Sequence, residues 1–208
     1  MLVTKMIPQK RDPAKYNIYI DGEYLFALPA QDLAYFNIKE GKEIPEKTVS
    51  FIQKNLIYMQ AQDKALNFIG YKMRTEKEVR QKLLENDFTH EIIEEVMVFL
   101  CKYKYINDRD YAQKYIKERL RLSPRGAYAL RMELLQRGIS DQICQEVLEL
   151  TEFSETEDAI KWLERKTKGQ WPPDEKKKKQ LYVFLQRKGY SYSVIKEAFV
   201  EMDQEQAK

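Results

Sequence analysis

The stretch Arg125–Leu150, RGAYALRMELLQRGISDQICQEVLEL, decides the fold. It predicts two helices joined at Arg137-Gly138-Ile139-Ser140. Gly138 stands just past a helix end, where a left-handed backbone is needed, and Ser140 stands where the next helix needs a cap. Leu130 and Leu134 share one face of the first helix at i, i+4. Ile143 with Val147, and Cys144 with Leu148, do the same on the second. The chain states this pattern three times, at a fixed offset of 51 residues. Val79, Leu130 and Leu181 correspond, as do Leu83, Leu134 and Leu185. The turn reads Asp87, Gly138, Gly189, then Phe88, Ile139, Tyr190, then Thr89, Ser140, Ser191. The helix after the turn reads Ile92, Ile143, Val194 and then Val96, Val147, Ala198.

A further helix precedes each pair at a 47-residue offset: Ala65-Phe68-Ile69, Ala112-Tyr115-Ile116 and Ala159-Trp162-Leu163. The offset differs because the loop after this helix lengthens from copy to copy, ending with one that carries Trp171-Pro172-Pro173. The expected fold is mainly α. A tandem array of three three-helix repeats follows a small antiparallel β-hairpin or sheet and a helix. The expected boundaries are 1–60 for the N-terminal extension, 61–106 and 107–151 for the first two repeats, and 152–208 for the third with its tail. Each repeat has few apolar positions, so tandem copies are expected to share buried surface.

Strand signals are confined to the N-terminus. Leu2–Ile7 is β-tolerant, Tyr16–Ile20 alternates, Asp21-Gly22 is a two-residue hairpin turn, and Tyr24, Phe26 and Leu28 alternate on the return. Pro29 to Asn37 suits a short helix with Leu33 and Phe36 toward the sheet. Pro45 then opens a helix whose stripe is Val49, Ile52, Leu56 and Met59, running on toward repeat one with Gln60–Asp63 as the one hint of a break. Asp108 is placed to cap the first helix of repeat two, and Ser154 with Glu157 forms a capping box for that of repeat three.

Composition narrows the chemistry. Hydrophobic residues at 43% allow a core across 208 residues, while 33% charged residues suit helices with wide solvated faces. The net charge of +3 hides a segmentation: 161–188 holds ten basic and three acidic residues, and 138–160 holds seven acidic and no basic ones. Cys101 and Cys144 fall on apolar helical faces and read as buried thiols. His90 is the one histidine, which excludes histidine-based metal sites and triads. No Walker, GxGxxG or GxSxG pattern is present, so an enzyme and a resident cofactor are not expected. No apolar run is long enough to span a membrane, and a soluble cytoplasmic monomer is the simplest expectation.

Basic residues recur at the same part of each repeat. Lys72, Arg74, Lys77, Arg80 and Lys82 crowd the first. Lys117, Arg119, Arg121, Arg125, Arg131 and Arg137 crowd the second. The third has Lys161, Arg165, Lys166, Lys168, Lys176 to Lys179, Arg187 and Lys188. Such a surface neutralises phosphates without reading sequence. The plainer alternative is a set of solvated helix faces. Tyr71, Tyr103, Tyr105, Tyr111 and Tyr115 interleave with this charge, as stacking platforms or as half-buried packing. The helix after each turn opens on Thr89-His90-Glu91, Ser140-Asp141-Gln142 or Ser191-Tyr192-Ser193, which argues against major-groove base reading.

Several segments resemble the bacterial RecX family of regulatory proteins, modulators of the RecA recombinase. These are Arg74-Thr75 with Glu78-Val79 and Leu83, then Asp108-Arg109-Asp110-Tyr111-Ala112, then Gly126, Leu130, Glu133-Leu134 and Gly138-Ile139, and finally Leu185, Arg187 and Gly189-Tyr190-Ser191. The N-terminal β segment is similar to the extension of longer family members. The resemblance implies a protein that binds in the groove of the RecA–single-stranded DNA filament. It implies inhibition of filament growth, strand exchange, ATP hydrolysis and co-protease activity. The residues expected to contact RecA or DNA phosphates, of single strands and of duplex alike, are Arg74, Arg80, Lys117, Arg119, Arg121, Arg125, Arg131, Arg137, Lys161, Arg165, Lys166, Arg187 and Lys188. A non-specific DNA-binding or architectural protein is the alternative. Asp87 departs from the family pattern at the turn glycine, so a looser turn is expected in repeat one.

Overall fold

The computed structural model describes residues 1–10 and 12–205. It divides into two compact units, Met1–Asn107 and Asp108–Lys208.

The first unit opens with strands β1 (Val3–Pro8), β2 (Lys15–Ile20) and β3 (Glu23–Pro29), paired antiparallel in that order. Asp21 and Gly22 both take positive φ, as the two-residue turn between right-twisted strands requires. Helix α1 (Ala30–Tyr35) buries Leu33 beneath the sheet. Helices α2 (Glu46–Ile52) and α3 (Tyr58–Gly70) are joined without a break by one π-helical turn at Gln53–Ile57. That turn alters the expected stripe. A π turn advances the helix phase by a residue, so Ile57 and Ala61 continue the buried face of Val49 and Ile52, and Met59 is exposed. Gln60–Asp63 is ordinary helix. Repeat one is completed by α4 (Glu76–Leu84) and α5 (His90–Lys102). A full capping box, Thr75 with Glu78, opens α4.

The sheet, α2, α3 and repeat one share one apolar core, from Val3 through Phe26 and Ile52 to Leu83, Met97 and Leu100. A three-stranded sheet is marginal alone, and the repeat supplies the face it needs. Cys101 is exposed, contrary to expectation, because the buried stripe of α5 follows Ile93, Met97 and Leu100 and leaves the next residue turned outward.

The turn of repeat one keeps the form of the other two, with its Phe88–Leu83 bond the longest at 3.4 Å against 3.1 and 3.2 Å. Asp87 takes φ +61°, against +89° and +91° at Gly138 and Gly189. All three turns make the same pair of backbone bonds, with Phe88, Ile139 and Tyr190 donating to the carbonyls of Leu83, Leu134 and Leu185. The sheet clamps the strained position: Tyr24 Oη donates to the Asp87 carbonyl at 2.6 Å, and Gln9 Nε2 donates to its carboxylate at 3.3 Å. Tyr24→Phe removes the first of these and should cost about 1 kcal/mol. A lower urea midpoint with unchanged slope checks this, and an unmoved midpoint would mean the turn holds itself.

The second unit contains α6 (Asp108–Leu122), α7 (Ala127–Gln136), α8 (Asp141–Glu149), α9 (Glu155–Thr167), α10 (Glu175–Arg187) and α11 (Tyr192–Glu205). Asp108 is the first residue of α6 rather than the cap before it. Ser140 and Ser154 accept from the backbone N–H of Ile143 and Glu157; Ser140 caps as expected, and Ser154 forms only this half of the expected capping box among the described residues. Repeats two and three close separate cores. Ala112, Ile116, Leu130, Leu134, Ile139, Cys144 and Val147 form one, and Ala159, Leu163, Leu181, Leu185, Tyr190, Ile195, Ala198, Phe199 and Met202 form the other. Each of these two repeats therefore fills its own centre with its own buried apolar set, and their apolar contact is confined to close approaches such as Ala129 against Gly189.

Their seam is backbone and polar. Gly126 N–H donates to the Lys188 carbonyl at 3.0 Å, Trp162 Nε1 donates to the Pro124 carbonyl at 3.0 Å, and Ala127 N–H donates to Glu155 Oε1 at 2.7 Å. A Cβ on Gly126 would stand 2.2 Å from the Gly189 carbonyl oxygen. The Trp171-Pro172-Pro173 loop folds onto its own repeat, with Trp171 against Phe199 and its Nε1 donating to Asp203 Oδ1 at 2.8 Å.

Candidate functional site

The expected contact residues separate into three groups. Arg80 pairs with Glu94 and lies 4.0 Å from Glu76; Arg131 pairs bidentately with Asp141 at 2.7 and 2.8 Å; Lys161 pairs with Asp158 at 2.9 Å. Solvent-screened pairs of this kind are weak, so they do not lock the cations, but each cancels its own field. Lys117, Arg121 and Arg187 are exposed on α6 and α10. The remaining residues, Arg74 in repeat one and Arg119, Arg125, Arg137, Arg165, Lys166 and Lys188 in repeats two and three, lie against aromatic rings or one another.

One device recurs in every repeat. The aromatic residue of the first helix, Phe68, Tyr115 or Trp162, is covered by cations. Arg74 lies 3.9 Å and Lys82 5.7 Å from the Phe68 centroid. Arg137 lies 4.8 Å and Arg119 5.2 Å from that of Tyr115, and Lys188 4.2 Å and Arg165 5.2 Å from that of Trp162. The local cause is helix ends. Arg119 and Arg121 lie in the last turn of α6, Arg165 and Lys166 in that of α9, while Arg137 and Lys188 are the C-terminal caps of α7 and α10. Cations are favoured there by the helix dipole.

In the second unit the end of α6 meets Arg125 at Glu133. Its carboxylate lies 2.9 Å from Arg125 Nε and 3.1 Å from Arg119 Nε, and accepts from Tyr115 Oη at 2.5 Å. Arg119 Nε also donates to Tyr115 Oη at 3.0 Å, and Arg137 Nη1 donates to Tyr111 Oη at 3.2 Å. Lys188 Nζ reaches across the seam to Ser123 Oγ at 3.3 Å, and Lys166 Nζ sits 4.8 Å from the Phe184 centroid. Burial, and then the charges of Arg125 and Lys166, push the Lys188 ammonium below the ordinary lysine range. Lys188 thus lies in the field of Arg125, Lys166 and Arg119 as well as that of the Glu133 carboxylate. Such a surface can hold a polyanion.

Glu133, Trp162, Phe184 and Ser123 did not figure among the expected site residues. The sequence carries only part of the signal: a cation stands four residues after the aromatic in each copy, as Phe68/Lys72, Tyr115/Arg119 and Trp162/Lys166, but of these only Arg119 covers its own ring. Among the expected stacking tyrosines, Tyr111 and Tyr115 are half-buried and mutually stacked, whereas Tyr71, Tyr103 and Tyr105 are exposed. Among the described residues, no helix is long and apolar enough to cross a membrane.

Comparison with known proteins assigns the family. Residues 1–45 match the model of the regulatory protein RecX N-terminal domain, and residues 61–100, 107–148 and 154–199 match the first, second and third RecX three-helix domains. The chain is 33% identical to regulatory protein RecX of Bacillus subtilis over 205 residues, covering 98% of this chain and 78% of that protein. It is 33% identical to regulatory protein RecX of Clostridium acetobutylicum over 210 residues, covering 96% and 95%. A crystal structure of regulatory protein RecX superimposes with a TM-score of 0.64 at 29% identity, over 95% of this chain and 98% of that one. RecX from Lactobacillus salivarius gives 0.65 at 27% identity, over 71% and 97%. The three-helix repeats, the N-terminal sheet and these matches, which run almost the length of the chain, make it a member of the RecX family of regulatory proteins.

Proposed function

We propose that this protein regulates the RecA recombinase by binding the RecA–single-stranded DNA filament, and that the effect is inhibitory. Filament growth, strand exchange, ATP hydrolysis and co-protease activity would all fall. Family membership supports a regulator of RecA. The observation that carries the filament as its target is the charge division of the second unit. Arg119 and Arg125 pair with Glu133 and Lys188 lies in their field, while 138–160 holds seven acidic residues and no basic one. Asp141, Glu146 and Asp158 of that stretch pair with Arg131, Arg109 and Lys161, and the other four carboxylates repel phosphate, from which a pure DNA binder gains nothing. A protein that meets both a polypeptide and a nucleic-acid strand uses both signs. The protein acts as a monomer in the cytoplasm on this account, and needs no cofactor.

The test is ATP hydrolysis by RecA on single-stranded DNA with this protein titrated in. Inhibition is expected while the protein is substoichiometric to RecA. Inhibition only once the protein suffices to coat the free DNA would replace this account with that of an architectural DNA binder.

A further inference from the structure

We propose that the seam between repeats two and three is a seat for a phosphodiester of single-stranded DNA, formed by Arg119, Arg125, Lys166 and Lys188 with Glu133 beside the two arginines. The proposal rests on the filament account for the identity of its ligand; the geometry supplies the seat.

Glu133 is in charge contact with both arginines through Nε, the edge of each guanidinium fork. A guanidinium carries five N–H donors in a fixed plane, and the Nη pair is the part that takes a phosphate bidentately. Arg119 Nε donates to Tyr115 Oη, which itself donates to Glu133, so Tyr115 links that fork to the carboxylate. Arg125 adds a donor in want of an acceptor. Its Nε is buried and lies 2.9 Å from Glu133 Oε1, yet its N–H is aimed at no acceptor among the described residues.

The two lysines carry the surplus. Among the described residues neither Lys166 nor Lys188 has a carboxylate at ion-pair distance, whereas Lys161 on α9 has Asp158. Lys188 rests on the Trp162 ring and the Ser123 hydroxyl, and both lysines flank Phe184, at 5.7 and 4.8 Å. Helix dipoles explain a cation at each separate helix end. They do not explain why Lys188 leaves its own helix end to reach Ser123 of the preceding repeat, into the field of three other cations. Neutralisation by a phosphate relieves that crowding. It also joins the last turns of α6 and α9 to the cap of α10, so an occupied seat ties the two repeats together.

The experiment is fluorescence anisotropy of a labelled oligo(dT) strand with the full chain across a salt series. Lys166→Gln with Lys188→Gln should weaken binding about tenfold. It should also flatten the plot of log affinity against log salt by about 0.7 for a single lost phosphate contact. Lys176→Gln with Lys179→Gln removes the same charge from exposed positions on α10 and should change affinity less than twofold. Equal losses from the two pairs would reduce the seat to general charge and overturn it, as would no loss from the first pair. A loss seen with duplex alone overturns the assignment to a single strand. Lys166→Gln, at an exposed position, repeats the test should the double variant melt early. RecA is absent from this assay. A wild-type chain that inhibits RecA, while the first pair leaves strand affinity untouched, overturns the seat and leaves the regulator standing. A strand affinity that needs the seat in a chain that spares RecA does the opposite.

Discussion

Gly126→Ala should uncouple repeats two and three and lower the stability of the second unit by about 3 kcal/mol, the upper end for an overpacked site. The added methyl meets backbone: the Gly189 carbonyl oxygen at 2.2 Å, its carbon at 2.4 Å and the Tyr190 nitrogen at 2.6 Å. A flexible side chain would swing aside, but a carbonyl held in a helix-ending turn cannot. Gly189 has no slack on its other side, since it carries φ +91° and its own Cβ position is filled by Ala129. Relief therefore requires the seam to part. That breaks the Gly126–Lys188 backbone bond, worth about 1 kcal/mol, and strains the Trp162–Pro124 bond beside it. The chain's two tryptophans, Trp162 and Trp171, both belong to repeat three, so tryptophan emission reports that repeat while far-ultraviolet circular dichroism reports every helix. The expected result is a red-shifted emission in the native state and an earlier urea midpoint. Gly70→Ala, where an added Cβ meets nothing within 4 Å at the end of α3, is the control and should be neutral or slightly stabilising. Identical melts for the two variants would mean that the seam contributes nothing to stability.

The legibility of this molecule follows the range of its interactions. Periodicity is local, so the 51-residue copies located Val79, Leu83, Leu130, Leu134, Leu181 and Leu185, and all six are buried. Capping is also local, and Ser140 and Ser154 cap as their side chains allow. Errors arose where distant groups intervene. Asp87 reads as a poor turn residue until Tyr24 and Gln9 arrive from the sheet to hold it. Met59 is displaced from the core by a π turn that its neighbours' composition does not announce. Two adjacent repeats read as sharing a core because apolar residues are few, yet small residues such as Ala112 and Ala159 let each triangle close tightly on itself. The site was legible as charge and illegible as geometry. Composition cannot tell Arg131, neutralised by Asp141, from Arg125, whose carboxylate partner is shared with Arg119.

The separate cores lead to the second large effect. Leu134→Asp should destabilise repeat two by at least about 4 kcal/mol, since Leu134 is fully buried between Leu130, Ile116 and Val147 in that repeat's core. Removing a buried leucine already costs about 2–5 kcal/mol, and a carboxylate without a buried partner adds a desolvation cost of its own. Because repeat three has its own buried set around Leu163, Leu185 and Ile195, the loss should not spread evenly. Circular dichroism should report an early transition from the helices of repeat two. Tryptophan emission from Trp162 and Trp171 should follow at higher urea, a non-coincidence that a single cooperative unit would not give. Leu185→Asp reverses the order, with the tryptophan transition moving first, because its side chain belongs to the third core. Coincident transitions in both variants would show that the seam at Gly126 couples the repeats more strongly than their cores hold them individually. An unmoved midpoint for Leu134→Asp would overturn the placement of that side chain at the centre of repeat two.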